Sequence, residues 1–276
     1  MIRAFKLEWL KLRHYRIFWI LIIMYTLALL VISSGGMFLL EWLKSKGAEF
    51  EGIDPTILPI YDFPDIWQNT TYLGSFLKIL LAFIVIISVN NDLSYNTLRQ
   101  NIIDGISKNE FLLSKFSLIL FLAGLSSIGI LIFGLITGSI YSHVWGMQYI
   151  FDEMEFIAAH FFEITVYCMM AFMLSLWIKK SGFVIVFLML YTLMFEPIAT
   201  VVLENAPFFR DTVAPTIAQF FPVKALNSLI QVPYPKYVFV EIVDYIPLNA
   251  VLISSGWLII FTSLIIFTLK NRDMKA

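Results

Sequence analysis

From Ile17 to Leu40 the chain carries no charged side chain and is apolar nearly throughout. About 20 such residues in a helix cross the hydrocarbon of a bilayer, where every backbone polar group must find its partner within the protein. The run is too long for the core of a signal peptide and has no clear small-x-small cleavage site, so it reads as a retained membrane anchor. Comparable runs recur near Tyr72–Val89, Phe116–Tyr141, Phe156–Ile178, Phe183–Leu203 and Pro247–Leu269, the first of them interrupted by Lys78. Composition leads the same way: 59% of residues are hydrophobic and 14% charged, too apolar for a soluble domain of 276 residues. The expected fold is an all-α membrane protein with six transmembrane helices.

Basic residues fall unevenly between these runs. Arg3, Lys6, Lys11, Arg13 and Arg16 precede the first span, and Arg99, Lys108 and Lys115 follow the second. Lys179 and Lys180 follow the fourth, and Lys270, Arg272 and Lys275 the sixth. The other side holds only Lys44, Lys46, Arg210, Lys224 and Lys236, spread over longer loops. Positive charge near span ends stays in the cytoplasm, so both termini are expected there. Residues 1–15, with Ile2, Phe5, Trp9 and Leu12 on one stripe, are expected to form an interfacial helix in the headgroup layer.

The outer segments have their own chemistry. Glu41–Thr71 is acidic, with Trp42 and Trp67 near its two membrane ends. Residues 205–246 hold Pro207, Pro215, Pro222, Pro233 and Pro235. Between these prolines lie two apolar pieces too short to span, Thr212–Phe221 and Val223–Gln231, which are expected to form an extracellular re-entrant or interfacial helical segment before the sixth span.

The loop from Asp92 to Lys115 is polar yet keeps helical order. Leu98, Ile102, Ile103 and Ile106 recur at spacings of three and four, and Asp104-Gly105 offers a helix stop. Ser107-x-x-Glu110 then matches a capping box, predicting that the third span's helix starts there. Inside the spans, Lys78, Glu163 and Glu196 lie at similar depth on three helices, each about two turns from the predicted outer end. A charge at the bilayer centre costs about 2.5–3.5 kcal/mol, so a shared polar site is one reading, with a Lys78–carboxylate pair as its core. The other reading has Lys78 snorkelling outward, and it is the one favoured for Lys78; for Glu196 the site is favoured. Pro197 is expected to bend the fifth span.

Several chemistries are excluded. No G-x-x-x-x-G-K-[ST] phosphate loop occurs, so ATP is not bound in that manner, and no H-E-x-x-H occurs. His160 and Glu163 stand one helical turn apart but lack an evident third metal ligand. Net charge is −1, which gives no field for nucleic acid, and the lone Cys168 cannot close an intrachain disulfide.

The pattern acidic-x-x-x-[GN]-T-[LM]-R, then G-[LI]-S-[RK]-x-[ED]-F and a following Lys, resembles the loop after the second span of ABC-2-type transporter permeases. It runs through Asp92, Asn96, Thr97, Arg99, Gly105, Ser107, Lys108, Glu110 and Lys115. Asp92 stands where glutamate is usual and Asn96 where glycine is usual. The resemblance is to permeases of Bacteroidetes-like bacteria more than to the drug-exporter branch; the architecture covers the whole chain, the motif about a tenth of it. It implies a non-enzymatic inner-membrane subunit without cofactor, working with a second permease, identical or homologous, and two copies of a separate ATP-binding subunit. Residues 92–104 would be its cytoplasmic coupling helix, with Asn96, Arg99, Gln100 and Asp104 suited to touching the ATPase. A secondary transporter using Lys78, Glu163 and Glu196, or a structural or immunity-type membrane protein, are the alternatives; no internal repeat of the kind common in secondary transporters is evident.

Overall fold

The structure, a computed structural model, describes residues 2–46, 59–94, 107–209, 212–233, 235–236 and 244–271. Among them the chain is helical and without strands. In chain order the helices are α1 (Ile2–Leu12), α2 (Arg16–Ser45), α3 (Ile66–Ser75), α4 (Lys78–Ser94), α5 (Lys108–Tyr141) and α6 (Met147–Phe151). There follow α7 (Glu155–Ile178), α8 (Ser181–Leu190), a π-helical turn (Tyr191–Phe195), α9 (Glu196–Asn205), α10 (Ala214–Ala218), α11 (Pro222–Asn227) and α12 (Leu248–Asn271). Five stretches are long and apolar enough to cross a membrane, and a sixth if α3 and α4, bent by 44° at their junction, count as one. This is the character of a membrane protein.

The bundle is built around α7. Apart from Glu155, His160, Glu163 and a few small polar residues, its side chains are apolar all round, and a helix of that kind is enclosed by others. Of its most apolar stretch 78% is buried, against 22–39% in the other unbroken spans. Helices α3, α4, α5, α8 and α12 all pack on it. The outer helices keep large apolar side chains exposed, such as Ile23, Leu27 and Val31 on α2 and Phe183, Phe187 and Phe195 along α8 and the π turn. Surfaces of that extent need lipid or another subunit. The two ends of the bundle differ. Lys108 reaches the last carbonyls of α12 and Trp177 reaches Thr268, so α1, residues 107–108, 179–180 and the end of α12 share one end, hereafter the basic end.

Three expectations are corrected. The second span is not continuous from Tyr72 to Val89; the helix breaks at Phe76-Leu77, just before Lys78. The break lets Lys78 turn inward to partners on α7 and α11. The segment from Glu41 to Thr71 is not all loop, because α2 runs on to Ser45 and α3 begins at Ile66. Trp67, expected at a membrane boundary, is fully buried, and its Nε1 donates to the Ile150 carbonyl at 2.9 Å. The irregularity in the fifth span is a π turn, Tyr191–Phe195, directly followed by α9, with Pro197 in the first turn of that helix.

Glycines on α5 admit the buried aromatics of the 59–75 segment. A Cβ at Gly134 would stand 2.7 Å from Cζ3 of Trp67, and one at Gly138 would collide with the ring of Phe63. Gly138→Ala is therefore expected to destabilise the bundle by about 1–3 kcal/mol through overpacking. Gly256→Ala, whose Cβ would meet nothing within 4 Å, is expected to hold or raise stability, since alanine is the better helix former. Melting temperatures of the two purified variants in one detergent check the contrast.

Candidate functional site

Two polar centres lie in the bundle, one at each end. At the basic end Lys115 is fully buried, reaching from α5 toward α1 and α4. Its Nζ donates to Glu8 Oε1 at 2.6 Å and to Ser88 Oγ at 2.6 Å, and lies 2.6 Å from Asp92 Oδ2. The Ser88 hydroxyl donates in turn to Glu8. Lys11 reaches Asp92 Oδ1 at 3.0 Å from the rim, where it is 39% exposed. Two lysines and two carboxylates thus sum to zero charge. That is the condition under which ionised groups persist away from water.

This cluster fixes the near end of the 95–106 connection. Asp92 belongs to the last turn of α4 and faces the bundle, so its part in any docking surface is indirect. Asn96, Thr97, Arg99, Gln100, Asp104 and Gly105 lie outside the described residues. The far end resumes as predicted: Ser107 accepts from the Glu110 N–H at 3.1 Å while the Glu110 carboxylate accepts from the Ser107 N–H at 2.9 Å, a complete capping box that starts α5. Lys108 Nζ donates to the carbonyls of Leu269 and Lys270 at 2.9 and 3.2 Å, a cation at the negative end of the α12 dipole.

At the opposite end Lys78 does not snorkel. It is 4% exposed and donates to Glu163 Oε1 at 2.5 Å and to Asn227 Oδ1 at 2.6 Å, with its ammonium 5.5 Å from the centre of the Tyr167 ring. Of the three charges placed at similar depth, Lys78 and Glu163 therefore meet. Glu196 stands apart from that pair: its Oε1 accepts the Lys224 N–H at 2.6 Å, satisfying an orphan donor in the first turn of α11. Its Oε2 makes no hydrogen bond of good geometry among the described residues, although the Tyr191 hydroxyl and the Val223 N–H stand beside the carboxylate. One turn before Glu163, His160 Nε2 bonds Ser126 Oγ at 2.8 Å, and Ser126 bonds the Tyr25 hydroxyl, so a buried polar thread joins α2, α5 and α7. Among the described residues no three of His, Cys, Asp and Glu come together to hold a metal ion.

A cavity of about 930 Å³ lies against this second centre. Its walls come from the α3–α4 break (Tyr72, Lys78), the π turn (Thr192), α9 (Glu196, Thr200) and α11 (Asn227). Both irregular helices open onto it. Non-helical or widened backbone at membrane depth is tolerated where it lines such a space, and π turns recur at functional sites. Near its rim, Lys236 lies 2.6 Å from Asp65, 2.7 Å from Asp244 and 3.8 Å from Glu153. Burial alone would lower the Lys236 pKa, but these carboxylates more than offset it and hold it above its ordinary value.

Sequence reasoning named Lys115 only as part of a motif and missed Glu8, Ser88, Ser126, Tyr25 and Asn227. Glu8 did leave a signal, since it sits on the face of α1 that carries Phe5, Trp9 and Leu12. Comparison with models of known protein families finds no match for this chain, and neither does comparison with curated proteins.

Lys115→Met leaves Glu8 and Asp92 in the bundle without their shared cation, and is expected to destabilise by about 3–5 kcal/mol. Adding Glu8→Gln and Asp92→Asn to Lys115→Met removes the uncompensated charges and is expected to recover most of that loss. Lys11→Met, at the exposed rim, is expected to shift stability by about 0–1 kcal/mol. Thermal unfolding of the three proteins in one detergent gives the order, and a triple variant no more stable than Lys115→Met contradicts it.

Proposed function

We propose that the chain is the membrane-spanning permease subunit of an ATP-binding-cassette exporter. It pairs with a second permease, identical or homologous, and is driven by two copies of a separate ATP-binding subunit. The observation that carries this reading is how the 95–106 connection is rooted. Its near end is held through Asp92 and Lys115 to α1, α4 and α5, and its far end through Lys108 to the last turn of α12. A partner that pushes on the connection therefore acts on four helices at once. ATP hydrolysed elsewhere moves this chain only if the ATPase contacts its two conformations with different free energy, and a polar segment whose sequence has helical periodicity, rooted in buried charge at its flanks, is suited to that.

In this reading the basic end faces the cytoplasm, following the bias of Lys and Arg, and the chain resides in the inner membrane with both termini inside. α1 is the interfacial helix, residues 92–104 the coupling helix, and α10 and α11 the re-entrant segment at the outer face. Asn96, Arg99, Gln100 and Asp104 face the ATPase, while Lys78, Glu163 and Glu196 border the pathway. The Lys78–Glu163 pair favours a second reading, ion-coupled secondary transport, in which the pair loads and releases an ion and no ATPase is needed.

Arg99→Glu and Asp104→Lys reverse charges on the proposed docking surface, where like-charge contact costs affinity. Both variants are expected to insert normally and to lose at least tenfold in co-purification with the ATPase and in its stimulated hydrolysis. Wild-type partner binding and stimulation by both variants contradicts the docking assignment. Transport that continues without any ATPase establishes the second reading instead.

A further inference from the structure

The cavity at the opposite end has a charge imbalance that the basic end lacks. Its walls and their direct partners hold two lysines, Lys78 and Lys224, and three carboxylates, Glu163, Glu196 and Glu204. Each lysine already has a carboxylate: Lys78 has Glu163 at 2.5 Å and Lys224 has Glu204 at 2.9 Å. Glu196 is the surplus. It is 2% exposed, lines the cavity, and is met only by neutral donors, the Lys224 N–H on one oxygen with the Tyr191 hydroxyl and the Val223 N–H beside the carboxylate, and by no cation of its own. Neutral donors leave a buried carboxylate's charge uncompensated, and the group that offsets that charge while adding a strong hydrogen bond is a cation carrying N–H.

The rest of the cavity limits what carries that cation. Beside Glu196 stand the Thr192 and Thr200 hydroxyls, whose oxygens keep lone pairs for a donor. Apolar side chains, Phe76, Ile79, Leu193, Val201 and Val232, supply much of the remaining wall, with Ser228, Gln231 and Asn249 among them. About 930 Å³ falls within the range of sites that enclose small organic ligands. The approach is acidic too: Pro235 of the wall precedes Lys236, which is shared among Asp65, Asp244 and Glu153, one cation among three carboxylates. Such a rim concentrates cations before entry.

We propose that this cavity binds a small amphiphile with an apolar body and a single ammonium head, the ammonium seated on Oε2 of Glu196. An anionic or neutral amphiphile leaves the surplus charge of the carboxylate uncompensated, so the head group decides affinity and the chain only adds to it. The proposal deepens the transporter reading and rests on it for the ligand's onward movement, but binding itself requires no ATPase.

The test uses the full chain in nanodiscs of phosphatidylcholine at pH 7, with no ATPase present, and equilibrium dialysis of labelled octylamine, octanol and octanoate corrected against empty discs. Octylamine is expected to bind saturably and at least tenfold more tightly than octanol, with octanoate weakest. Glu196→Gln keeps an oxygen for the Lys224 N–H and is expected to weaken octylamine about tenfold while leaving octanol unchanged. Val201→Trp, at an exposed wall position, fills the cavity and is expected to reduce octylamine and octanol together, which holds the proposal open to refutation should Glu196→Gln unfold. Equal binding of octylamine and octanol, tightest binding of octanoate, or octylamine binding unmoved by either variant overturns it. Because no ATPase takes part, such a failure leaves the coupling assignment standing, and loss of ATPase docking leaves this binding standing.

Discussion

The ammonium of Lys115 is the constraint around which the basic end is arranged. A lysine buried that completely persists as a cation only among opposite charges and hydrogen-bond acceptors, and three helices supply them: Glu8 from α1, Ser88 and Asp92 from α4. None of these groups is comfortable alone in an apolar bundle. Together they make a neutral unit that ties the N-terminal helix to the ends of two spans. The aromatic packing of Phe5 and Trp9 against Phe121 adds an apolar seam beside the ionic one. In consequence the 95–106 connection is anchored on both sides, since Lys108 holds its other end to α12.

The opposite end solves a similar problem with a different result. Lys78 is satisfied by Glu163 and Asn227, but only because α3 and α4 break just before it and α11 folds back to meet it. The π turn ahead of Glu196 widens the fifth span on the other side of the same space. Between the two polar centres α7 runs through apolar, buried residues from Val166 to Leu174, with Tyr167 and Cys168 among them. The structure therefore separates a balanced charge cluster at one end from a cavity with one carboxylate in excess at the other. A permease that receives force at the first and holds a ligand at the second would use both.

Much of the fold was legible because membrane helices leave long uncharged runs, and the runs and the 107–110 capping box were both read from local pattern. What was not legible depends on contacts between distant residues. Trp67 looked like an interfacial aromatic, yet Gly134 and Gly138 open room for it and Phe63 against α5. Lys78 looked like a snorkelling lysine, because nothing local announces that Asn227, far along the chain, will lie within hydrogen-bond reach. Pro197 announced an irregularity in the fifth span, but not that it would take the form of a π turn at Tyr191–Phe195. Glu8 was the nearest to a missed clue: an acid on an apolar stripe has to meet a cation, and Lys115 was already singled out by its motif.

The central claim is that the connection after the second span is where a separate ATPase acts. A photo-crosslinking amino acid placed at Gln100, irradiated in native membranes, tests this most directly, with Gln148 in the segment preceding α7 as the control position. The account predicts an adduct between position 100 and a soluble subunit that carries a phosphate-loop motif, altered in yield when ATP is trapped, and none from position 148. An adduct pattern at position 100 confined to lipid or to membrane-embedded chains, with no ATP-binding subunit captured in either nucleotide state, would contradict it.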